Sequence, residues 1–292
     1  MNQLPQLPPN SRLKQSALLI TDLDGTLLDP NGRIHRADGE AIELLKKRGV
    51  PVTICTGRMY SGTRMVVEQL GLDGPVACID GCHIVQVETR QDLFVAELLG
   101  APKARLRDAL LKVELACFAF ASDVIVYDRF GKRHLSYLRT WSERMLEIES
   151  ITSPTGWANL SQLSALVALG SQADAEAVTA ELRNNATGAF EIVNFPLRSS
   201  GRSHLHALIV RCAGIDKGTA TKYLAEYYGV PLHNVVAVGD WINDVPMFKV
   251  AGHSFVMAQA PDDVKGSAKN VLAAHTHVGG GIREAAERAG LL

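Results

Sequence analysis

The chain has 292 residues, 47% of them apolar, which is enough for one large domain or two ordinary ones around a sizeable core. Lys and Arg number 30 against 31 Asp and Glu, so there is no basic excess to neutralise a nucleic-acid backbone or an anionic membrane. The starting expectation is therefore a small-molecule partner, with no nucleic acid and no membrane, for a monomer or small homo-oligomer.

Residues 1–12 are polar and proline-rich and read as a loose tail. They lack the charged head and apolar segment of a secretory signal, and no apolar run approaches the roughly 18 to 20 residues that span a bilayer. Five irregularly spaced cysteines suit reduced thiols, and a cytoplasmic location is expected. Cys78 and Cys82 have the look of half a zinc site, but no second Cys or Cys/His pair completes one, and they read as ordinary buried thiols.

Ala17 to Asp22 is a short apolar run of the kind found in a strand covered on both faces. A helix from Asp38 to Arg48, a strand from Val52 to Cys55, a helix from Gly62 to Leu70 and a strand from Val76 to Ile79 follow. This alternation predicts a parallel sheet with right-handed crossovers. The same texture returns with a helix from Lys217 to Tyr228, a strand from Val235 to Val238, a helix from Asp244 to Val250 and a strand from Ser254 to Met257.

Between these halves the rhythm is mixed. A hairpin (Ile84–Val87 and Leu93–Leu98), a helix (Lys103–Leu115) and a strand near Val124–Tyr127 come first. A strand (Ala165–Leu169), a helix (Ala173–Arg183) and strands near Phe190–Phe195 and Leu205–Val210 complete it. The predicted architecture is α/β: a doubly wound, Rossmann-like parallel-sheet core, residues 13–98 and 212–292, with an inserted α+β cap domain at 99–211.

In an open parallel sheet, ligands sit beyond the carboxyl ends of the strands. The first strand ends in Asp22-Leu23-Asp24-Gly25-Thr26, two carboxylates that repel unless a cation lies between them or one holds a proton. A hard divalent ion answers that repulsion, and Mg2+ binds through one or two carboxylates plus substrate phosphate. The second strand ends in Thr56-Gly57-Arg58, whose hydroxyl and backbone N–H groups are donors suited to phosphoryl oxygens. The late strand ends in Gly239-Asp240-Trp241-Ile242-Asn243-Asp244, a second acidic cluster. Lys217 opens a helix, where its charge opposes the macrodipole and calls for a reason. A lone D-x-D is an ordinary turn and a lone lysine an ordinary surface residue; it is the conjunction of all four at predicted strand and helix ends that points to one site.

With those residues in hand, the chain resembles the haloacid dehalogenase superfamily, in its Cof-type sugar-phosphatase-like branch with a large α/β cap. TDLDGTLLD is similar to the first motif, CTGR to the second, the Lys217 region to the third and GDWINDVPMF to the fourth. The resemblance implies a phosphatase acting on small phosphorylated metabolites, with Asp22 as nucleophile and Asp24 as general acid and base. It implies phosphoryl binding by Thr56, Gly57 and Lys217, and Mg2+ binding by Asp22, the Asp24 backbone carbonyl and Asp240. Asn243 and Asp244 take supporting places, and the insert becomes a mobile cap. Two alternatives share these residues: a sugar phosphomutase or phosphotransferase using the same aspartyl-phosphate, and a noncatalytic sugar-phosphate-binding regulator.

The chain departs from the branch in carrying Asp80-Gly81-Cys82 for Asn-Gly-Ala, and Met257-Ala258-Gln259-Ala260 for Met-Gly-Asn-Ala. Ala258 thus replaces a residue free to adopt positive φ. Arg58 is open between a substrate contact and an ion pair with an acidic neighbour. Trp241, inside the fourth motif, is open between substrate and core. The pairs His204/His206 and His275/His277 have no third ligand at a suitable spacing; the first is placed on a strand. Gly279-Gly280-Gly281 lacks the Lys-Ser/Thr of a phosphate loop and reads as a flexible lead-in to the last helix.

Overall fold

The structure, a computed structural model, describes Leu4 and residues 16–185, 188–197 and 205–292. The expected tail, apart from Leu4, and His204 lie outside the described residues. The chain divides by its contacts into two compact units. One comprises Leu4–Gly57, Arg64–Phe94 and Asp216–Leu292; the other comprises Val95–Ile215 together with Arg58–Thr63.

The first unit is built on a five-stranded parallel sheet in the order Asn270–Val271, His253–Val256, Val235–Gly239, Leu18–Thr21, Val52–Ile54. Leu18–Thr21 lies between Val235–Gly239 and Val52–Ile54 and is buried along its whole length, as a run with no polar face requires. Leu18 pairs with Val235 and Thr21 with Val238, so the two chain halves end their strands at the same level. The ladder continues one step further, with Asp22 N donating to Val238 O (2.9 Å) and Cys55 N to Thr21 O (3.0 Å). This register puts Asp22, Thr56 and Asp240 at one edge of one sheet.

The strand expected at Val76–Ile79 runs from Pro75 to Cys78 and does not extend the parallel sheet as a full member. It joins it by a single parallel bridge, Cys55 to Ala77, and pairs antiparallel with His83–Gln86 in a three-stranded sheet completed by Gln91–Val95. The turn responsible holds Ile79 (φ 50°) and Asp80 (φ 52°) in the left-handed region, which returns the chain along itself. Asp tolerates that region better than most residues; Ile does not.

The Gly279-Gly280-Gly281 segment is tied down, which corrects the expectation of a flexible lead-in. Asp38, buried in the helix Arg36–Lys47, accepts from Gly280 N (2.8 Å), Ile282 N (2.8 Å) and Arg283 N (3.2 Å). One carboxylate thereby caps the start of the last helix, Gly281–Arg288, with orphan N–H groups and the positive end of the dipole facing it. His275 and His277 lie in a turn, their rings stacked with centroids 5.1 Å apart.

The second unit carries a six-stranded sheet in the order Phe190–Pro196, His206–Cys212, Leu163–Gly170, Ala116–Ala121, Val124–Tyr127, Met145–Glu147, antiparallel except for its last pair. Sequence reading missed the strand Ala116–Ala121 and carried the preceding helix, which spans Gly100–Leu110, too far. ACFAFA is rich in a strong helix former, so its alternation of Phe118 and Phe120 with small residues was masked. All six of its residues are buried at the sheet centre. His206, on the strand His206–Cys212, sits 3.3 Å from Asn194 Oδ1 through its Nδ1. Among the described residues no helix is long and apolar enough to cross a membrane.

Candidate active site

Three segments of the first unit meet at the carboxyl edge of the parallel sheet. Asp22 leaves the strand Leu18–Thr21; Asp240 leaves the middle strand, Val235–Gly239; Asp244 follows one turn later; Lys217 opens the helix Lys217–Tyr227. Lys217 is fully buried, and its Nζ donates to Asp22 Oδ1 at 2.7 Å and to Asp244 Oδ1 at 2.6 Å. An ammonium this deep in protein is tolerable only with charged acceptors, which answers why a lysine stands at a helix start. Asp216 supplies the cap there, accepting from Thr219 N (2.8 Å).

Asp244 is fully buried and accepts three hydrogen bonds. Beyond the lysine it accepts from Asp240 N (2.8 Å) and Trp241 N (2.9 Å) through Oδ2, which folds the GDWIND segment around it. Asp240 is held from the opposite side by Thr26, whose hydroxyl donates to Oδ1 at 3.1 Å. Thr26 was not singled out from sequence, although it stands in the first motif. Gln259 was likewise missed: its Nε2 donates to Gly25 O (2.6 Å) and its Oε1 accepts from Thr276 N (3.1 Å), bracing the Asp22–Thr26 loop against the far end of the chain. Ala258 needs no positive φ; its N donates to Ala274 O at 3.0 Å.

Thr56 is buried, its N bound to Ala77 O (2.9 Å) and its O receiving Asp80 N (2.9 Å). Gly57 runs beside Asp80 and Asn243, since a β-carbon there would stand 3.5 Å from Asp80 Oδ1 and 3.8 Å from Asn243 Nδ2. Asn243 Nδ2 donates to Asp80 Oδ1 at 2.8 Å. Asp24 is exposed while Asp22 is buried, so the two carboxylates of the D-x-D pair face different media. Arg58 falls in the other contact unit, buried, with Nη1 donating to Gly62 O at 3.1 Å. Trp241 is half-buried.

The electrostatics are those of a crowded acid. Burial pushes the Asp22 carboxyl well above its usual range; the Lys217 ammonium pulls it back, and Asp244, Asp240 and Asp24 push it up again. Burial, then the Asp244 charge, raises Asp240 to about 7 against the pull of Thr26 and Lys217. Burial disfavours the Lys217 charge, yet Asp22, Asp244 and Asp80 together outweigh it and hold the ammonium. Burial also keeps Cys55 a neutral thiol.

Oxygens of Asp22, Asp240 and Asp244 all lie within 4.8 Å of one another. The donor set is hard and anionic, and two of its members have carboxyl groups raised by burial and crowding, so it fits a small divalent cation. Asp244 already commits its oxygens to Lys217 and two backbone N–H groups, which leaves Asp22 and Asp240 as the carboxylates with room for an ion.

Gly25 keeps the Asp22–Thr26 loop clear of Asp240. Its φ is 81°, and a β-carbon would run into the Asp240 carboxylate. Gly25→Ala is therefore expected to displace Asp240, costing about 1 to 3 kcal/mol of stability and weakening the hold of the acidic cluster on a divalent cation about tenfold. Thermal melts with and without magnesium check both.

A model of the haloacid dehalogenase-like hydrolase family matches residues 19–285. The chain is 24% identical over 274 residues to a pyridoxal phosphate phosphatase of Escherichia coli, covering 89% of this chain and 94% of that protein. It is 28% identical over 273 residues to a 5-amino-6-(5-phospho-D-ribitylamino)uracil phosphatase of Bacillus subtilis, covering 85% and 89%. Its fold is like that of a putative HAD/COF-like hydrolase from Plasmodium vivax, with a TM-score of 0.78 at 22% identity over 95% of this chain and 96% of the other. A family match that runs from the first core strand into the last helix takes in both acidic clusters and the buried lysine: the chain belongs to the haloacid dehalogenase-like hydrolases, as a phosphatase enzyme with the fold of their Cof-type members.

Proposed function

We propose that the chain is a magnesium-dependent phosphatase that hydrolyses small phosphorylated metabolites, sugar phosphates foremost, through an aspartyl-phosphate on Asp22. The observation that carries this reading is the buried lysine shared by Asp22 and Asp244, with the Asp240 carboxylate within reach of both acids. The named phosphatases among its relatives support the reaction class. A cytoplasmic location goes with this substrate class, and the insert at 99–211 is read as the cap that selects among metabolites.

Magnesium would be held by Asp22, Asp240 and the Asp24 backbone carbonyl, and when bound it supplies positive charge against the phosphoryl oxygens. Lys217 fixes Asp22 through Oδ1 and leaves Oδ2 to approach phosphorus. Thr56, the Gly57 backbone and Lys217 hold the phosphoryl oxygens in line. Asp22 Oδ2 forms the new bond to phosphorus as the ester P–O bond breaks, and Asp24 gives its proton to the departing alkoxide. Asp24, now a carboxylate, takes a proton from water; the water oxygen attacks phosphorus, the P–Oδ2 bond breaks, and inorganic phosphate leaves with Asp22 restored. Exposure gives Asp24 access to the water it activates, and the Lys217 ammonium opposes the effect of burial on Asp22 and holds it in place.

A panel of phosphorylated metabolites, followed by phosphate release with magnesium and with chelator, tests the proposal. Release that needs the metal is the expected result. Isomer formation without phosphate would mean a phosphomutase, and binding without turnover a regulator; either outcome defeats the reading.

A further inference from the structure

Asp80 is a buried acid that the mechanism above does not use. It stands at φ 52° in the turn after the Pro75–Cys78 strand, with Oδ1 accepting from Asn243 Nδ2 at 2.8 Å and lying 3.9 Å from Lys217 Nζ. It faces the Gly57 backbone, on the side of the site given above to the phosphoryl oxygens. Lys217 therefore has three carboxylates around one ammonium: Asp22 and Asp244 in direct bonds, and Asp80 beyond hydrogen-bonding distance. The first is the proposed nucleophile and the second builds the GDWIND turn, while the third acts on the lysine through its charge alone. That charge falls where an incoming dianion needs the opposite sign.

We propose that Asp80 is a positioning residue that limits how tightly the site holds a phosphoryl dianion, its carboxylate orienting the Asn243 amide while offsetting part of the Lys217 charge. This rests on the phosphatase reading. A hydrolase of phosphate esters makes a product of the same anionic class as its substrate, so a cradle of unopposed positive charge retains inorganic phosphate and slows the next cycle. A fixed carboxylate beside the lysine weakens that hold uniformly, whatever alcohol the ester carried.

The charge can be removed without disturbing the turn, because Asn adopts the left-handed region as readily as Asp and Gly more readily still. Asp80→Asn keeps an oxygen for Asn243; Asp80→Gly does not. Inorganic phosphate binding to the magnesium-loaded wild type and to both variants is measured by calorimetry, beside steady-state kinetics on a phosphate ester. Both variants are expected to bind phosphate about tenfold more tightly, with KM for the ester falling and kcat not rising. Only Asp80→Gly is expected to lose kcat further, by loosening Asn243, and Asp80→Asn restores that part.

Phosphate affinity in Asp80→Asn within about twofold of the wild type overturns the proposal, as does tightening in Asp80→Gly alone, which would mark a steric effect. A wild type that neither binds phosphate nor hydrolyses any ester overturns the phosphatase reading, and this inference with it. An active wild type with unresponsive variants overturns this inference only.

Discussion

Asp22→Asn is expected to lower turnover at least about a thousandfold while leaving the protein folded, because an amide oxygen cannot form the phosphoenzyme. The substitution is isosteric, and the amide oxygen can still accept from Lys217 in place of the present 2.7 Å bond. It also removes a carboxylate that burial and the Asp244, Asp240 and Asp24 charges disfavour, so the metal-free variant should melt no lower than the wild type. Activity lost with stability kept is the signature; a variant that turns over normally defeats the role of Asp22. Asp24→Asn serves as its partner. It should lose turnover too but keep magnesium binding, since only the backbone oxygen of Asp24 is assigned to the ion. Rapid-quench trapping separates them: phosphoenzyme forms in neither the wild type without magnesium nor Asp22→Asn, and accumulates in Asp24→Asn with substrates whose leaving group needs no proton.

The second large effect is the linkage between magnesium, protons and stability. Asp240 titrates at about 7 in the folded, metal-free chain, against 3.8 when unperturbed. The folded state thus binds this proton more tightly than the unfolded state does. That contribution to stability is complete below about pH 4, declines as pH rises towards 7 and is gone above it, by up to about 4 kcal/mol at roughly 1.4 kcal/mol per pKa unit. Asp22 is displaced in the same direction. Bound as proposed, magnesium would take the ionised carboxylates, so at about pH 5.5 it must first expel the proton, whereas at about pH 8 it relieves repulsion already present. Saturating magnesium is expected to raise Tm by several degrees more at the higher pH than at the lower, taking about 2 to 4 °C per kcal/mol. Differential scanning calorimetry at both pH values measures it, and equal gains would refute the linkage.

The sequence made the meeting of Asp22, Lys217 and Asp244 legible for a physical reason. A charge placed against a helix dipole, and acids placed side by side at strand ends, are locally unfavourable, and only a tertiary partner relieves them. Thr26 and Gln259 carried no such tension. A threonine after Gly25 and a glutamine in a loop are ordinary until folding brings them to Asp240 and to Gly25 O. Asp80 was visible as a departure from the branch pattern, but its distance from Lys217 depends on a left-handed turn that no periodicity announces. The core strands were readable because burial on both faces imposes continuous apolar runs. ACFAFA was not, because alanine favours helix while its position at a sheet centre favours extension.

The pairing of Leu18–Thr21 with Val235–Gly239 fixes an order of events during synthesis. Leu18–Thr21 is translated before both strands it pairs with, and one of them is made only after Val95–Ile215 has been translated. The hydrogen bond from Thr26 to Asp240, across 214 positions, cannot form before then. The second unit can complete its antiparallel sheet while the first still waits, so nascent chains halted just after Ile215 has emerged should show a protease-resistant fragment from the later segment and a labile amino-terminal part.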